Sequence, residues 1–167
     1  MNTIPPTKKL GELLLQRGLV TRAQLDGALQ RQQTTRAFLG VILVDMKAVT
    51  PDALLLVLSE QFKIPHESLT EARVDWNVAK QFPASLWSSG TCFPIRADAE
   101  SVTVAIANPL DAWSLSAVEK AAGFRRVTAI LVLERELKQV FQAYQRRSLQ
   151  AITGQLEQGH GPLNKDQ

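Results

Sequence analysis

The chain has 167 residues, 45% of them hydrophobic and 21% charged, which is the mix of an ordinary globular protein of one domain or two small ones. The formal net charge of +3 is too small to indicate nucleic-acid binding by itself, and a single cysteine excludes an intrachain disulfide. The leading segment MNTIPPTKK lacks the apolar centre of a signal peptide, and the apolar runs are too short to cross a bilayer. The sequence therefore predicts a cytoplasmic protein without direct membrane insertion.

The first predicted elements are two helices joined by a tight turn. After a flexible lead over residues 1–7, leucines at helical spacing predict a short helix that ends near Gly18. Thr21, with Gln24 three residues later, is typical of a capping box at the start of a second helix. Thr34-Thr35 interrupt the apolar spacing, and we expect this helix to end just before them.

The same pair of elements then occurs a second time. KLGELLLQRGLVTRAQLDGALQRQ at 9–32 matches FLGVILVDMKAVTPDALLLVLSEQ at 38–61. A duplicated unit builds a pseudo-symmetric surface, which suits a two-fold ligand or a pseudo-symmetric partner. The matching positions of the first copy are Leu10, Gly11, Leu14, Leu15, Val20, Thr21, Leu25, Leu29 and Gln32, and those of the second are Leu39, Gly40, Leu43, Val44, Val49, Thr50, Leu54, Leu58 and Gln61.

After Ile64-Pro65 the pattern changes from helices alone to strands and helices. Alternating and β-branched residues predict strands at 92–97, 102–107 and 126–133, with helices before and after the third strand. The sequence thus predicts an α+β protein, in which a helical subdomain of two tandem helix–turn–helix repeats precedes a small three-stranded sheet with flanking helices. The predicted boundaries are 8–64 for the repeats, 65–150 for the α+β subdomain and 151–167 for a disordered polar tail.

Residue patterns that carry catalysis are missing from the sequence. No glycine is followed by lysine, so the chain lacks the Walker phosphate loop. The two histidines, His66 and His160, are far apart, and with Cys92 they do not form a familiar zinc-binding pattern. Cys92 lies in a predicted strand, where a buried and inert thiol is the usual outcome. We therefore expect neither enzymatic activity nor a bound cofactor or metal.

The tandem repeat resembles the N-terminal domain of type II secretion and type IV pilus assembly ATPases, the MshE N-domain type. In the cyclic di-GMP-binding form of that family, two motifs of the form RLGxxLLxxGxLxxxxLxxxLxxQ follow one another five residues apart, as 9–32 and 38–61 do here. The segment VTVAIANPLD at 102–111 also looks like the family's α+β part. The resemblance implies a regulatory or docking module without the ATPase domain, serving secretion or pilus proteins at the inner membrane, which would recruit it there.

The resemblance further implies a cyclic di-GMP site in which each motif holds half of the ligand. Glycines would allow close approach, leucines would form an apolar bed for the guanines, helix starts would offer N–H groups to phosphates, and the glutamines would bind base edges. Leucines at this spacing more often belong to a hydrophobic core than to a ligand site. The site residues implied are Lys9, Leu10, Gly11, Leu14, Gly18, Leu25, Leu29, Gln32, Phe38, Leu39, Gly40, Leu43, Leu54, Leu58 and Gln61.

Three positions depart from the family motif and keep a second function open. Lys9 replaces the leading arginine of the first motif, and Phe38 replaces that of the second. Lys47 replaces the middle glycine of the second motif, so we expect the second turn to differ in shape. The alternative is a ligand-free adaptor that docks onto an inner-membrane platform protein or a secretion ATPase. Nucleic acid is not an expected partner, because no groove-reading motif is present.

Overall fold

The computed structural model describes residues 9–87 and 90–158, over which the chain forms seven α-helices and three β-strands. The α+β class predicted from the sequence is confirmed. The helices are α1 (Leu10–Gln16), α2 (Arg22–Thr35), α3 (Leu39–Asp45), α4 (Pro51–Phe62), α5 (Trp76–Ala79), α6 (Ala112–Ala122) and α7 (Glu134–Gln158), and the strands are β1 (Cys92–Ala97), β2 (Ser101–Ile106) and β3 (Arg126–Leu131). Short 3-10 turns lie at Glu71–Arg73 and Ala84–Leu86.

The two repeats begin their longer helices in the same way. The Thr21 hydroxyl accepts the Gln24 N–H at the start of α2, and the Thr50 hydroxyl accepts the Ala53 N–H at the start of α4. The Gln24 side chain also accepts the Thr21 N–H, which completes the predicted capping box. Pro51 occupies the first turn of α4, where a missing N–H costs nothing.

The turns after α1 and α3 are also alike, and this corrects one expectation. Gly18 and Lys47 both adopt the left-handed conformation, with φ of 64° and 55°. Each N–H bonds to the carbonyl three residues before it, and the following residues, Leu19 and Ala48, bond to the carbonyls of Leu14 and Leu43. These are two Schellman motifs of the same geometry. The second turn therefore keeps its shape, because Lys47 tolerates a conformation that glycine adopts more easily.

Helix α2 extends beyond its predicted end. The hydroxyls of Thr34 and Thr35 both donate to the Arg31 carbonyl, which satisfies them inside the last helical turn. The helix ends instead at Arg36, whose φ of 56° is left-handed. The connection between the repeats is thus shorter than the sequence pattern suggests.

The sheet is mixed and has the order β1-β2-β3. β1 and β2 pair antiparallel with a bulge between Pro94 and Arg96, while β2 and β3 pair parallel across the α6 connection. β1, which contains Pro94, is an edge strand, where the missing N–H of proline is tolerated. α6 ends at Gly123, which has a φ of 68°. Beyond β3, His66 forms a parallel bridge with Leu131, so the segment after α4 is tied to the sheet.

Two hydrophobic clusters form the interior. The repeat core consists of Leu14, Val20, Leu25, Ala28, Ile42, Leu43, Val49 and Val57. The sheet core has as its largest fully buried members Trp87, Phe93, Ile95, Val102, Val104, Ile106, Leu131, Leu137 and Val78. α4 takes part in both clusters, because Leu54 packs against the repeat core whereas Leu55 and Leu58 pack against the sheet core.

The predicted tail is in part helical. α7 continues through residues 151–158, because this stretch contains no proline and the Thr153 hydroxyl donates to the Leu149 carbonyl at 3.0 Å. The rest of the predicted tail, 159–167, and the predicted lead, 1–7, lie outside the described residues. The subdomain boundary at residues 64 and 65 stays a prediction. Within the described part of the chain, no helix combines the length and the apolar character that crossing a membrane requires.

Candidate functional site

The starts of α1 and α3 present corresponding residues to solvent. Lys9 and Phe38 are the N-cap residues, with φ and ψ of −69° and 147° for Lys9 and −65° and 138° for Phe38. These similar backbone angles direct the two Cα–Cβ bonds alike relative to the helices that follow. Both side chains are exposed, and Phe38 retains 49% of its accessible surface. An exposed phenylalanine of this extent is available to a ligand or a partner.

The two motif glycines serve the packing between helices. A Cβ atom on Gly11 would lie 2.9 Å from Leu25 Cδ1, and one on Gly40 would lie 3.0 Å from Leu54 Cδ2. Both glycines are buried. The missing side chains of the two glycines thus allow the close approach of another helix.

The eight predicted leucines divide by burial. Leu14 and Leu43 have no accessible surface and Leu25 keeps 5% of its surface. These three leucines therefore belong to the repeat core and do not form the apolar bed for a base that the resemblance implied. Leu10, Leu39 and Leu54 are half-buried at its border. Leu29 is exposed at 40%, whereas its counterpart Leu58 packs against the sheet core. The symmetry of the repeats is therefore broken where α4 meets the sheet.

Gln32 stabilises the connection between the repeats. Its Nε2 donates to the Ala37 carbonyl at 2.9 Å and thereby fixes the backbone just before Phe38. Gln61 is half-buried near the end of α4. Of the remaining predicted site residues, Gly18 is exposed at the end of α1. The ligand-binding roles of all these residues stay predictions.

Two residues that the sequence analysis did not single out lie beside the exposed N-caps. Glu12 in the first turn of α1 accepts the Lys9 N–H through Oε2 at 3.4 Å. The corresponding residue of α3 is Val41, which is 48% exposed. The first helix start is thus polar and carries a carboxylate, while the second is apolar. Glu12 and Val41 each lie three residues after their N-cap, so aligning the two repeats in the sequence would have paired them.

Part of the basic charge of the first repeat is compensated within the fold. Arg17 forms an ion pair with Glu60 of α4, and Arg22 pairs with Asp26 one helical turn later at 3.1 Å. Lys9, Arg31 and Arg36 are exposed. The surface of the first repeat therefore favours an anionic ligand or partner, although Glu12 opposes it at the start of α1.

Two titratable residues of the α+β part, Asp111 and Cys92, belong to its structure and do not form a reactive site. The Asp111 carboxylate caps α6, accepting the Ser114 N–H at 3.1 Å and the Ser114 hydroxyl at 2.7 Å. Burial opposes ionisation of Asp111, but these hydrogen bonds and one from Thr91 leave its pKa below the usual value. Burial, together with the nearby charge of Asp111, raises the pKa of the Cys92 thiol to about 11. Across residues 9–87 and 90–158, no group of three or more His, Cys, Asp or Glu side chains is placed to hold a metal ion.

Comparison with known proteins assigns the α+β part directly. The model of the MshEN domain family matches residues 62–151, which is more than half of the chain. The chain belongs to the MshEN domain family. This domain is a non-catalytic regulatory domain, separate from the ATPase domain. The two helical repeats precede the matched residues, so the family match does not itself describe the predicted ligand site.

Similarity to one curated relative covers most of this chain but little of that relative. The type IV pilus assembly ATPase PilB of Thermus thermophilus is 33% identical over 118 residues, which are 70% of this chain and 13% of PilB. The chain thus spans only a small part of the length of this relative.

Two solved structures have the same fold. A structure of MshE with cdg matches with a TM-score of 0.74 and 26% identity, covering 82% of this chain and 99% of that one. The N-terminal domain of XpsE matches with a TM-score of 0.60 and 18% identity, covering 80% and 91%. The residues after Gln61 make up less than two thirds of this chain. A match that covers 82% of the chain must therefore include part of the repeats.

Proposed function

We propose that this MshEN domain is a regulatory module that binds cyclic di-GMP across its two helical repeats. The observation that carries the proposal is the equivalence of the repeats. Both have the same helix lengths in their first helices, the same Schellman turns and the same threonine caps, and both expose an N-cap residue at the start of the first helix. A ligand made of two identical halves is what such a surface fits.

The likeness to MshE supports the same ligand. That protein was solved with cdg, which we take to be cyclic di-GMP, and its fold matches over a stretch that includes part of the repeats. The match covers 99% of the solved MshE chain, so nearly every part of that structure has a counterpart here. Binding by this chain is our inference from that likeness.

The accessible residues define how the ligand would be held. Lys9 would pair with a phosphate or a guanine edge, and Phe38 would stack on the second guanine. Leu29, with the half-buried Leu10 and Leu39, would cover the apolar faces of the bases. Because Glu12 lies beside Lys9 and the second repeat has no cation at its N-cap, we expect weaker binding than two arginines would give.

Titration calorimetry of the full chain with cyclic di-GMP tests the proposal. Leu29→Asp places a carboxylate against the ligand and should abolish the heat of binding. Leu110→Asp is the matched control, because Leu110 is similarly exposed but lies in the α+β part, and it should leave binding unchanged. Circular dichroism would show that both variants stay folded. The absence of both heat and a thermal shift at millimolar ligand would overturn the proposal.

A ligand-free adaptor is the second candidate function. Its support is the number of large apolar side chains that the helical half exposes, namely Leu29, Phe38, Val41 and Leu56. Such side chains often mark protein interfaces. The partner would be a secretion or pilus protein at the inner membrane, either a platform protein or an ATPase. Binding of the platform protein's cytoplasmic part, measured with and without cyclic di-GMP, separates the candidates: an adaptor binds equally in both cases and loses affinity in Leu56→Asp.

We also propose that the protein works in the cytoplasm and is recruited to the inner membrane by such a partner. Such a partner would bring the module to the machine that receives the nucleotide signal. Cell fractionation tests it directly. The protein should move from the cytoplasmic to the membrane fraction when the partner is present, and should stay cytoplasmic in a strain that lacks it.

A further inference from the structure

The chemical difference between the two helix starts bears on which ligands the site accepts. At the start of α1 the exposed pair is Lys9 with Glu12, which are polar and linked through the Lys9 N–H. At the start of α3 the corresponding pair is Phe38 with Val41, which are apolar and about half exposed. Two equivalent positions on one pseudo-symmetric surface thus offer different chemistry to the two halves of a ligand.

The structure holds Phe38 in place for such a role. Its backbone follows Ala37, whose carbonyl accepts the Gln32 amide, and its own carbonyl accepts the Ile42 N–H as α3 begins. Val41, three residues on, lies on the same side of the helix. The ring is thus attached to a fixed backbone and is about half exposed, with an exposed aliphatic residue three positions later, and both features suit stacking on a base.

Lysine and phenylalanine differ in whether they can distinguish guanine from adenine. A cationic donor bonds to O6 and N7 of guanine and meets the N6 amino group of adenine unfavourably, so it selects guanine. An aromatic ring contacts the flat face that every base has, so it selects no particular base.

We infer that the second half-site accepts adenine as well as guanine, so that the protein binds the mixed cyclic dinucleotide cyclic GMP–AMP about as tightly as cyclic di-GMP. This rests on the proposed function, since it concerns the same site. The guanine of the mixed ligand lies at the Lys9 half and its adenine stacks on Phe38. Cyclic di-AMP binds poorly, because one adenine must then occupy the Lys9 half.

Calorimetry of the full chain with the three cyclic dinucleotides provides the test. We expect affinities for cyclic di-GMP and 3′,3′-cyclic GMP–AMP within about fivefold of each other, and cyclic di-AMP weaker by at least about tenfold, as one mismatched base edge costs. Phe38→Arg should restore selection, making the mixed ligand at least about tenfold weaker than cyclic di-GMP. Phe38→Leu keeps the apolar character but removes stacking, and should weaken both ligands by the same factor.

The outcomes separate this inference from the function on which it rests. If cyclic di-GMP binds and the mixed ligand is more than about fivefold weaker, the inference is wrong while the proposed function stands. If Phe38→Leu weakens one of the two ligands alone, stacking is not the basis of the selectivity and the inference is also wrong. If no cyclic dinucleotide binds, both fail.

Discussion

Gly18 and Lys47 occupy equivalent turns in the two repeats and share the left-handed backbone conformation, with φ of 64° and 55°. Glycine adopts this conformation without a steric penalty, whereas lysine incurs one. Nothing lies within 4 Å of a Cβ placed on Gly18, so the space around the turn does not decide the difference. Backbone strain alone distinguishes the two positions.

Exchanging the residues at these turns should change stability in opposite directions. Lys47→Gly removes the strain and should raise the free energy of unfolding by about 0.5–1 kcal/mol, while Gly18→Lys introduces it and should lower it by about 1 kcal/mol. Urea unfolding followed by circular dichroism measures both. Equal stability of Lys47→Gly and the unaltered protein would show that the lysine conformation is not strained.

How far the sequence predicts this fold depends on whether local or distant contacts decide each feature. The cap at Thr21, which recurs at the matching Thr50, follows from local chemistry, and the sequence identified it. The parallel pairing of β2 with β3 and the bridge of His66 to Leu131 depend on residues far apart in the chain, and periodicity does not report such pairing.

The site shows the same division. The repeat pattern predicted two pairs of helices, and the structure has them as α1 with α2 and α3 with α4. The pattern did not show that Leu14 and Leu43 are wholly buried, because a leucine in a core and a leucine under a ligand have the same spacing. Nor did it separate Leu29 from Leu58, whose burial depends on where the sheet core meets α4.

A larger side chain at Gly11 should disrupt the repeat core. Gly11→Leu forces atoms into the space of Leu25 and should cost about 1–3 kcal/mol of stability, as overpacking does. Ala23→Leu, at an exposed position of α2, is the control and should change stability by less than about 0.5 kcal/mol. Thermal or urea unfolding measures both. Similar stability of the two variants would contradict the close packing of α1 on α2.

Removing the Asp111 cap should destabilise the protein in a pH-dependent way. Asp111→Ala loses the bonds to Ser114 and should cost about 1–2 kcal/mol at pH 7. Because the folded-state pKa of Asp111 lies below its ordinary value of 3.8, its ionisation stabilises the fold above that value and this contribution is lost as the pH falls through the folded-state pKa. The difference between variant and unaltered protein should therefore shrink in acid. A difference independent of pH would mean that the charge of Asp111 is not involved.

Cys92 should be unreactive while the protein is folded. The thiol is buried and its pKa is raised from 9.0 to about 11, so at pH 8 its thiolate fraction is about a hundredfold lower than in the unfolded chain. Labelling with a thiol reagent should be slow in buffer and fast in denaturant. Since the unfolded thiol ionises first, stability should also decrease as the pH rises from about 9 to about 11, and Cys92→Ser should lack that decrease. Rapid labelling under native conditions would contradict this burial.

α4 contributes residues to the interior of both halves, through Leu54 and Val57 on one side and Leu55 and Leu58 on the other. Any tilt of this helix that improves the fit of one half must alter the packing of the other. The halves are therefore expected to melt in a single cooperative transition rather than in two steps. By the same coupling, a molecule seated on the repeats would be sensed at the sheet through α4, without any need for a flexible hinge.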